Sequence, residues 1–208
     1  MAENNEYKNL TNGEYEGRLV YVGDLGMQER SYMGDVKPPA RQLSLGIEIL
    51  GESVTIDGQA LPRILWTKPF NVFYQMNEKG NEYKYFKTFN SSAKDGTVAD
   101  WTSVLGQPCN VNIIQVQGKN ANADKVYDNI DTIGAIPAKY QDAVAPATVT
   151  DMAIGEAGDE NNVATKALYG LAKYVFDKRL DGGSGGGGQA TAAKADVAVV
   201  DVEEAAPF

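Results

Sequence analysis

The sequence predicts a mainly β protein with added helices: a small five-stranded Greek-key barrel, an extra C-terminal amphipathic helix and a disordered acidic tail. Three observations predict it. Five short segments carry strand signals, helical material falls between the third and the fourth, and the chain ends in a Gly-rich stretch followed by acids.

Residues 1–12 are polar and loose, and Gly13 opens the first strand. From Glu14 to Val22, Tyr15, Leu19 and Tyr21 alternate with Glu16 and Arg18, with Gly17 expected as a bulge or bend. Residues 23–40 contain Gly, Asp and Lys37-Pro38-Pro39 and read as a long, functional loop holding Arg30, Tyr32 and Lys37. Gln42 to Leu50 alternates again, with Leu43, Leu45, Ile47 and Ile49 on one face, and Asp57-Gly58 signals a hairpin turn. Arg63 to Lys68 is the third strand, ended by Pro69.

Asn71 to Met76 looks extended. Asn77 to Phe89 satisfies two patterns: Asn77 is a capping residue with Tyr85 and Phe89 four apart, while Tyr83, Tyr85, Lys87 and Phe89 also alternate. The helical reading is preferred. Val98 to Leu105 is a short helix around Trp101, stopped by Gly106 and Pro108. Cys109 to Val116 is the fourth strand, Lys119 to Asp124 a polar turn, and Val126 to Ile133 the fifth strand. Residues 135–161 are rich in Ala, Pro and Gly and read as a linker-like arm. Asn162 caps a helix from Val163 to Leu180, with Ala164, Leu168, Leu171, Ala172 and Val175 as its apolar stripe. That stripe packs on the barrel or on a partner, including a second copy of the chain, and the barrel is preferred.

Composition narrows the function. The net charge is −9; five acids against Lys194 put −4 of it after Leu180, leaving −5 on the rest, so an anion-binding surface has to be a local patch. The absence of His removes His-based triads, bases and ligands, and the single Cys109 removes disulfides within the chain and Cys-rich zinc sites. No metal and no cofactor is expected. Cys109 reads as a small core residue. There is no run of 18 apolar residues and no signal-peptide pattern at Met1 to Glu6, so a cytoplasmic, membrane-free setting is expected.

Arg63 to Phe89 is the one strongly aromatic stretch with a positive balance. Single strands are held by bases stacking on aromatic faces beside a basic groove. The DNA-binding candidates are therefore Arg63, Trp66, Lys68, Phe73, Tyr74, Lys79, Tyr83, Lys84, Tyr85 and Lys87, with Lys37 and Arg41 on the same face when the second strand neighbours the third. Trp66, Phe70, Phe86 and Phe89 are expected in the core as large aromatics usually are, and Tyr74, Tyr83 and Tyr85, with polar neighbours, are the better stacking positions.

Five strands with a helix between the third and fourth fit the oligonucleotide/oligosaccharide-binding (OB) fold. Over residues 13–133 the body resembles phage-encoded single-stranded DNA-binding proteins of OB type, through Gly13-Glu14-Tyr15-Glu16-Gly17, the helix from Trp101 to Gly106, and the last strand from Tyr127 to Ile133. The tail resembles the tips of such proteins from bacteria and phages: Asp201, Glu203, Glu204, Pro207 and Phe208 match, although Ala205-Ala206 separates the acids from Pro207. The resemblance implies single-strand coating in replication or recombination, in the host cytoplasm. It also implies that those five residues recruit replication or recombination proteins. The ~20 residues between Asp181 and the acidic tip, a Gly-rich coil, reach roughly 22–27 Å. The implied organisation is a binding domain at 1–134, an arm at 135–161, a helix at 162–181, a flexible linker at 182–200 and a partner-binding tip at 201–208.

Two other classes remain. One is a phage structural β-protein, which the polar strands fit but the Phe-ended tail does not need. The other is a metal-dependent nuclease, suggested by Glu82-Tyr83-Lys84, with Asp57 as the nearest upstream Asp. The preferred reading is a non-enzymatic binder.

Overall fold

The computed structural model describes residues 7–181. Its centre is a β-hairpin much longer than the sequence suggests: β1 (Gly13–Tyr32) against β2 (Asp35–Ile56). The stretch 23–40, expected as a loop, is the outer half of this hairpin. Its alternation is hidden because the lower part is buried on both faces and the upper part on neither. Pro38 and Pro39 stand opposite Glu29 in a register shift, between the pairs Gln28–Ala40 and Arg30–Lys37, where the ladder needs no donor from them. The arm turns at Met33-Gly34, both residues at positive φ.

β2 turns back at Asp57-Gly58, as that dipeptide predicts, into β3 (Gln59–Trp66). β4 (Phe70–Val72) continues along the same side of β2. β5 (Pro108–Gln117) pairs with β1, and β6 (Val126–Ala135) with β5. A two-residue strand, β7 (Ala153–Ile154), lies parallel to β1 at Tyr21 and Val22. The result is an open, antiparallel sheet in the order β3-β2-β1-β5-β6, with β3 and β6 as its edges. Gly17 is not a bulge. It stands in register with Ile49 and Cys109, and a Cβ there would lie 2.7 Å from Ile47 Cγ2. The register shift comes just after it, between Leu19 and Tyr21.

One face of the sheet closes over the main core of Leu19, Leu45, Ile47, Leu65, Val111 and Ile113. Helix α1 (Asn81–Phe89) and a 3-10 turn at Trp101–Val104 cover it, with Phe86 and Trp101 edge to face at 5.2 Å. The helical alternative for this stretch therefore holds, because Phe86 and Phe89 can both reach the core from one helix face.

The opposite face is covered by the rest of the chain. Residues 135–161, expected as a linker-like arm, are fastened onto the sheet instead. Buried Glu48 accepts hydrogen bonds from the Thr148 and Val149 N–H groups at 2.9 and 3.1 Å. Arg18 donates to the Ala145 and Val144 carbonyls at 2.7 and 2.8 Å. A short helix α2 (Ala138–Gln141) lies within this arm. The helix expected at 163–180 is broken into α3 (Val163–Lys166) and α4 (Gly170–Asp177), with Gly170 at φ +58°. The break changes the stripe: Ala164, Leu168, Ala172 and Phe176 are buried, while Leu171 is exposed. These residues pack on Val20, Tyr21 and Leu25 of the chain's own sheet. No helix among the described residues is long and apolar enough to cross a membrane.

Candidate nucleic-acid interface

The structure divides the sequence candidates into four groups. Arg63 belongs to the core. It is buried, ion-paired to Asp128 and lies 3.8 Å from the ring centroid of Tyr7, so it is not available to a ligand. Tyr85 packs half-buried on Phe70 at 4.9 Å between centroids, and burial raises its hydroxyl pKa. Phe70, Phe86 and Phe89 are buried as expected.

A second group meets at the base of the β1–β2 arm. β4 pairs with β2 at Arg41–Val72, and the chain leaves β4 through Phe73 and Tyr74, which are 57% and 86% exposed. Arg30 crosses from β1 to lie 5.6 Å from the Phe73 ring centroid. Arg30 and Lys37 are cross-strand partners, so two cations stand side by side on the arm. Tyr32, Met33 and Val36 expose apolar surface at its tip. Lys37 lies 3.5 Å from Asp35, whereas Arg41 is held by the buried Asp24 carboxylate, Nε at 3.0 Å from each oxygen. Asp24 also accepts from the Gly26 and Ala157 N–H groups, so Arg41 acts first as a pin between arm and sheet.

The third group is spread around α1. Lys79, Lys84 and Lys87 are exposed, and Lys87 lies over the half-buried Tyr83 at 5.2 Å. Glu82 turns inward from this helix and accepts from the Phe73 N–H at 3.3 Å, with its pKa raised by burial. Glu82 and Lys84 are two apart on a helix and so face different directions, and Asp57 sits in the β2–β3 turn. Among the described residues no group of three metal-binding side chains occurs.

Trp66 and Lys68 lead to a feature that spacing along the chain does not reveal. Between the edge strands lies a groove of about 820 Å³ onto which Tyr7, Trp66, Tyr127 and Tyr169 all open. Trp66 stacks on Tyr21 at 6.2 Å and 13°, and its Nε1–H donates to the Ala167 carbonyl at 3.1 Å. The Tyr169 hydroxyl donates to the Ile64 carbonyl, and burial raises its pKa. Lys68 and Lys125 line the same groove. Asp201, Glu203, Glu204, Pro207 and Phe208 lie outside the described residues. Comparison of the chain with known protein families, curated proteins and solved structures gives no match.

Proposed function

We propose that this chain binds single-stranded DNA without sequence preference, in DNA replication or recombination, with its C-terminal tail recruiting replication proteins. The observation that carries the reading is the cluster of Phe73, Tyr74, Arg30 and Lys37. Two consecutive rings stand in solvent beside two cations on a projecting arm, in a chain whose net charge is −9. Bases stack on such rings whatever their identity, at about 1–3 kcal/mol per base, while the cations follow the phosphates.

The sheet is read as OB type. The order β3-β2-β1-β5-β6, with α1 between the third and fourth long strands, supports that reading. So does the ion pair that ties β3 to β6 where a barrel would close. The outer face of β1, β2 and β3 is occupied by residues 144–176, so the reading places DNA on the arm and on β4 rather than across that face. The proposed tail function rests on Asp201, Glu203, Glu204, Pro207 and Phe208, which also compete with DNA for the cationic surface. A phage origin implies the host cytoplasm, and the reading assigns no catalytic step.

The test is fluorescence titration of the full chain with oligo-dT and with matched duplex at two salt concentrations. Quenching by oligo-dT, weaker at higher salt with a log–log slope of about −0.7 per phosphate neutralised, is expected. No binding at low salt, with or without the tail, rejects the reading.

A further inference from the structure

We propose that the groove between β3 and β6 is a separate binding site for a single unstacked nucleotide, its base against the tyrosine and tryptophan rings and its phosphate on Lys68 and Lys125. The inference rests on the nucleic-acid reading for its ligand class but uses different residues from the arm. The groove's volume, about 820 Å³, lies within the range of small-molecule sites. Its rings come from four distant parts of the chain and two of them are held in place: Trp66 by Tyr21 and Ala167, Tyr169 by Ile64. Rings fixed in this way lose little freedom when a flat ligand arrives.

Charge selects among flat ligands. The one carboxylate lining the groove, Asp128, is charge-paired to Arg63 through Oδ2 and keeps Oδ1 buried without a hydrogen-bond partner, and neither Lys68 nor Lys125 is in an ion pair among the described residues. An aromatic cage with the ammonium groups of Lys68 and Lys125 at its rim, the latter donating to Asn122 Oδ1 at 3.0 Å, disfavours cations and gives a neutral sugar no use for the charge. A nucleoside phosphate uses both features. Lys68 precedes β4, so a strand leaving the groove along β4 reaches Phe73 and Tyr74, and the site would hold one base of a longer bound strand.

The experiment is an NMR titration of the full chain with dTMP, dAMP and thymidine, following the Trp66 indole N–H and the backbone amides. Expected are saturable shifts at Trp66, Tyr127 and Tyr169 with both nucleotides, unchanged in the Phe73→Ala/Tyr74→Ala variant. Tyr127→Ala should weaken binding by about 5- to 150-fold, the range of one base stack. Lys68→Gln/Lys125→Gln, both at exposed positions, should bring dTMP affinity down to that of thymidine. The proposal is overturned if neither nucleotide shifts the groove residues. Shifts confined to Phe73 and Tyr74, or equal wild-type affinity for dTMP and thymidine, overturn it as well. A peptide of residues 195–208 shifting the groove where dTMP does not would reassign it to strand addition. Because mononucleotides are read at the groove and oligo-dT in the arm variant, failure here leaves the arm's reading standing, and the reverse.

Discussion

Arg63 on β3 and Asp128 on β6 form an ion pair across the gap between the two edge strands of the sheet, with side chains 2% and 0% exposed. The edges share no hydrogen-bonded ladder, so charge holds them where backbone pairing does not. The N-terminal residues complete the clasp: the Leu10 N–H donates to Asp128 at 3.0 Å and Tyr7 lies against the Arg63 guanidinium. Removing one partner strands a buried charge. Arg63→Met or Asp128→Asn should each cost about 3–5 kcal/mol in urea unfolding, and Arg63→Met/Asp128→Leu should recover most of it. Single substitutions costing under about 1 kcal/mol would show that the pair does not close the seam.

Phe73→Ala and Tyr74→Ala should each weaken oligo-dT binding by about 1–3 kcal/mol while leaving thermal stability nearly unchanged, because both rings are exposed. Arg30→Ala should weaken binding and flatten its salt dependence. Unchanged affinity in all three variants would move DNA binding off the arm.

Glu82 gives a pH prediction whose sign follows from burial. Burial raises its carboxyl above the ordinary 4.5, and the Phe73 N–H opposes this in part. The stabilisation is then fully present below about pH 4.5 and is lost as pH rises through the raised value in the folded state. Glu82→Gln keeps an acceptor for the Phe73 N–H. It should be more stable than the parent at pH 7, with the gap closing in chemical denaturation toward pH 4. A variant less stable at pH 7 would mean that the charged form is held by a partner.

Cys109 lies fully buried between Gly17 and Ala135 in the ladder, and burial pushes its thiol up to about 12. A thiol reagent at pH 8 should leave it unmodified in the native protein and react fully once denaturant is added. Rapid native labelling would require the β1–β5 pairing to open readily.

Deleting residues 197–208 removes three carboxyl side chains, Asp201, Glu203 and Glu204, and the terminal carboxylate. At roughly millimolar effective concentration such a tail competes with DNA for a small cationic surface, so truncation should tighten oligo-dT binding, most at low salt. Removing Phe208 alone should spare DNA affinity and abolish capture of a purified replication partner. Unchanged DNA affinity after truncation at low salt would exclude competition.

By itself the sequence determined the β class, the five main strand positions and the Asp57-Gly58 turn, because these depend on local alternation and on the φ that a turn demands. It also placed Phe70, Phe86 and Phe89 in the core, as large aromatics usually are, and Tyr74 in solvent, whereas Trp66, expected in the core, and Tyr83 and Tyr85, expected in solvent, are half-buried. Long-range packing decided the rest. The β1–β2 arm was hidden because a strand buried on both faces shows no alternation and a two-proline bulge imitates a loop. Residues 144–149 look like linker in composition, yet Glu48 and Arg18, about a hundred residues away, hold their backbone. Arg63 has the sequence of a DNA contact and the environment of a core ion pair, because its partner Asp128 lies 65 residues further on. Tyr7, Trp66, Tyr127 and Tyr169 share no spacing at all, and only the curl of the sheet that brings β3 to β6 turns them into the walls of one groove.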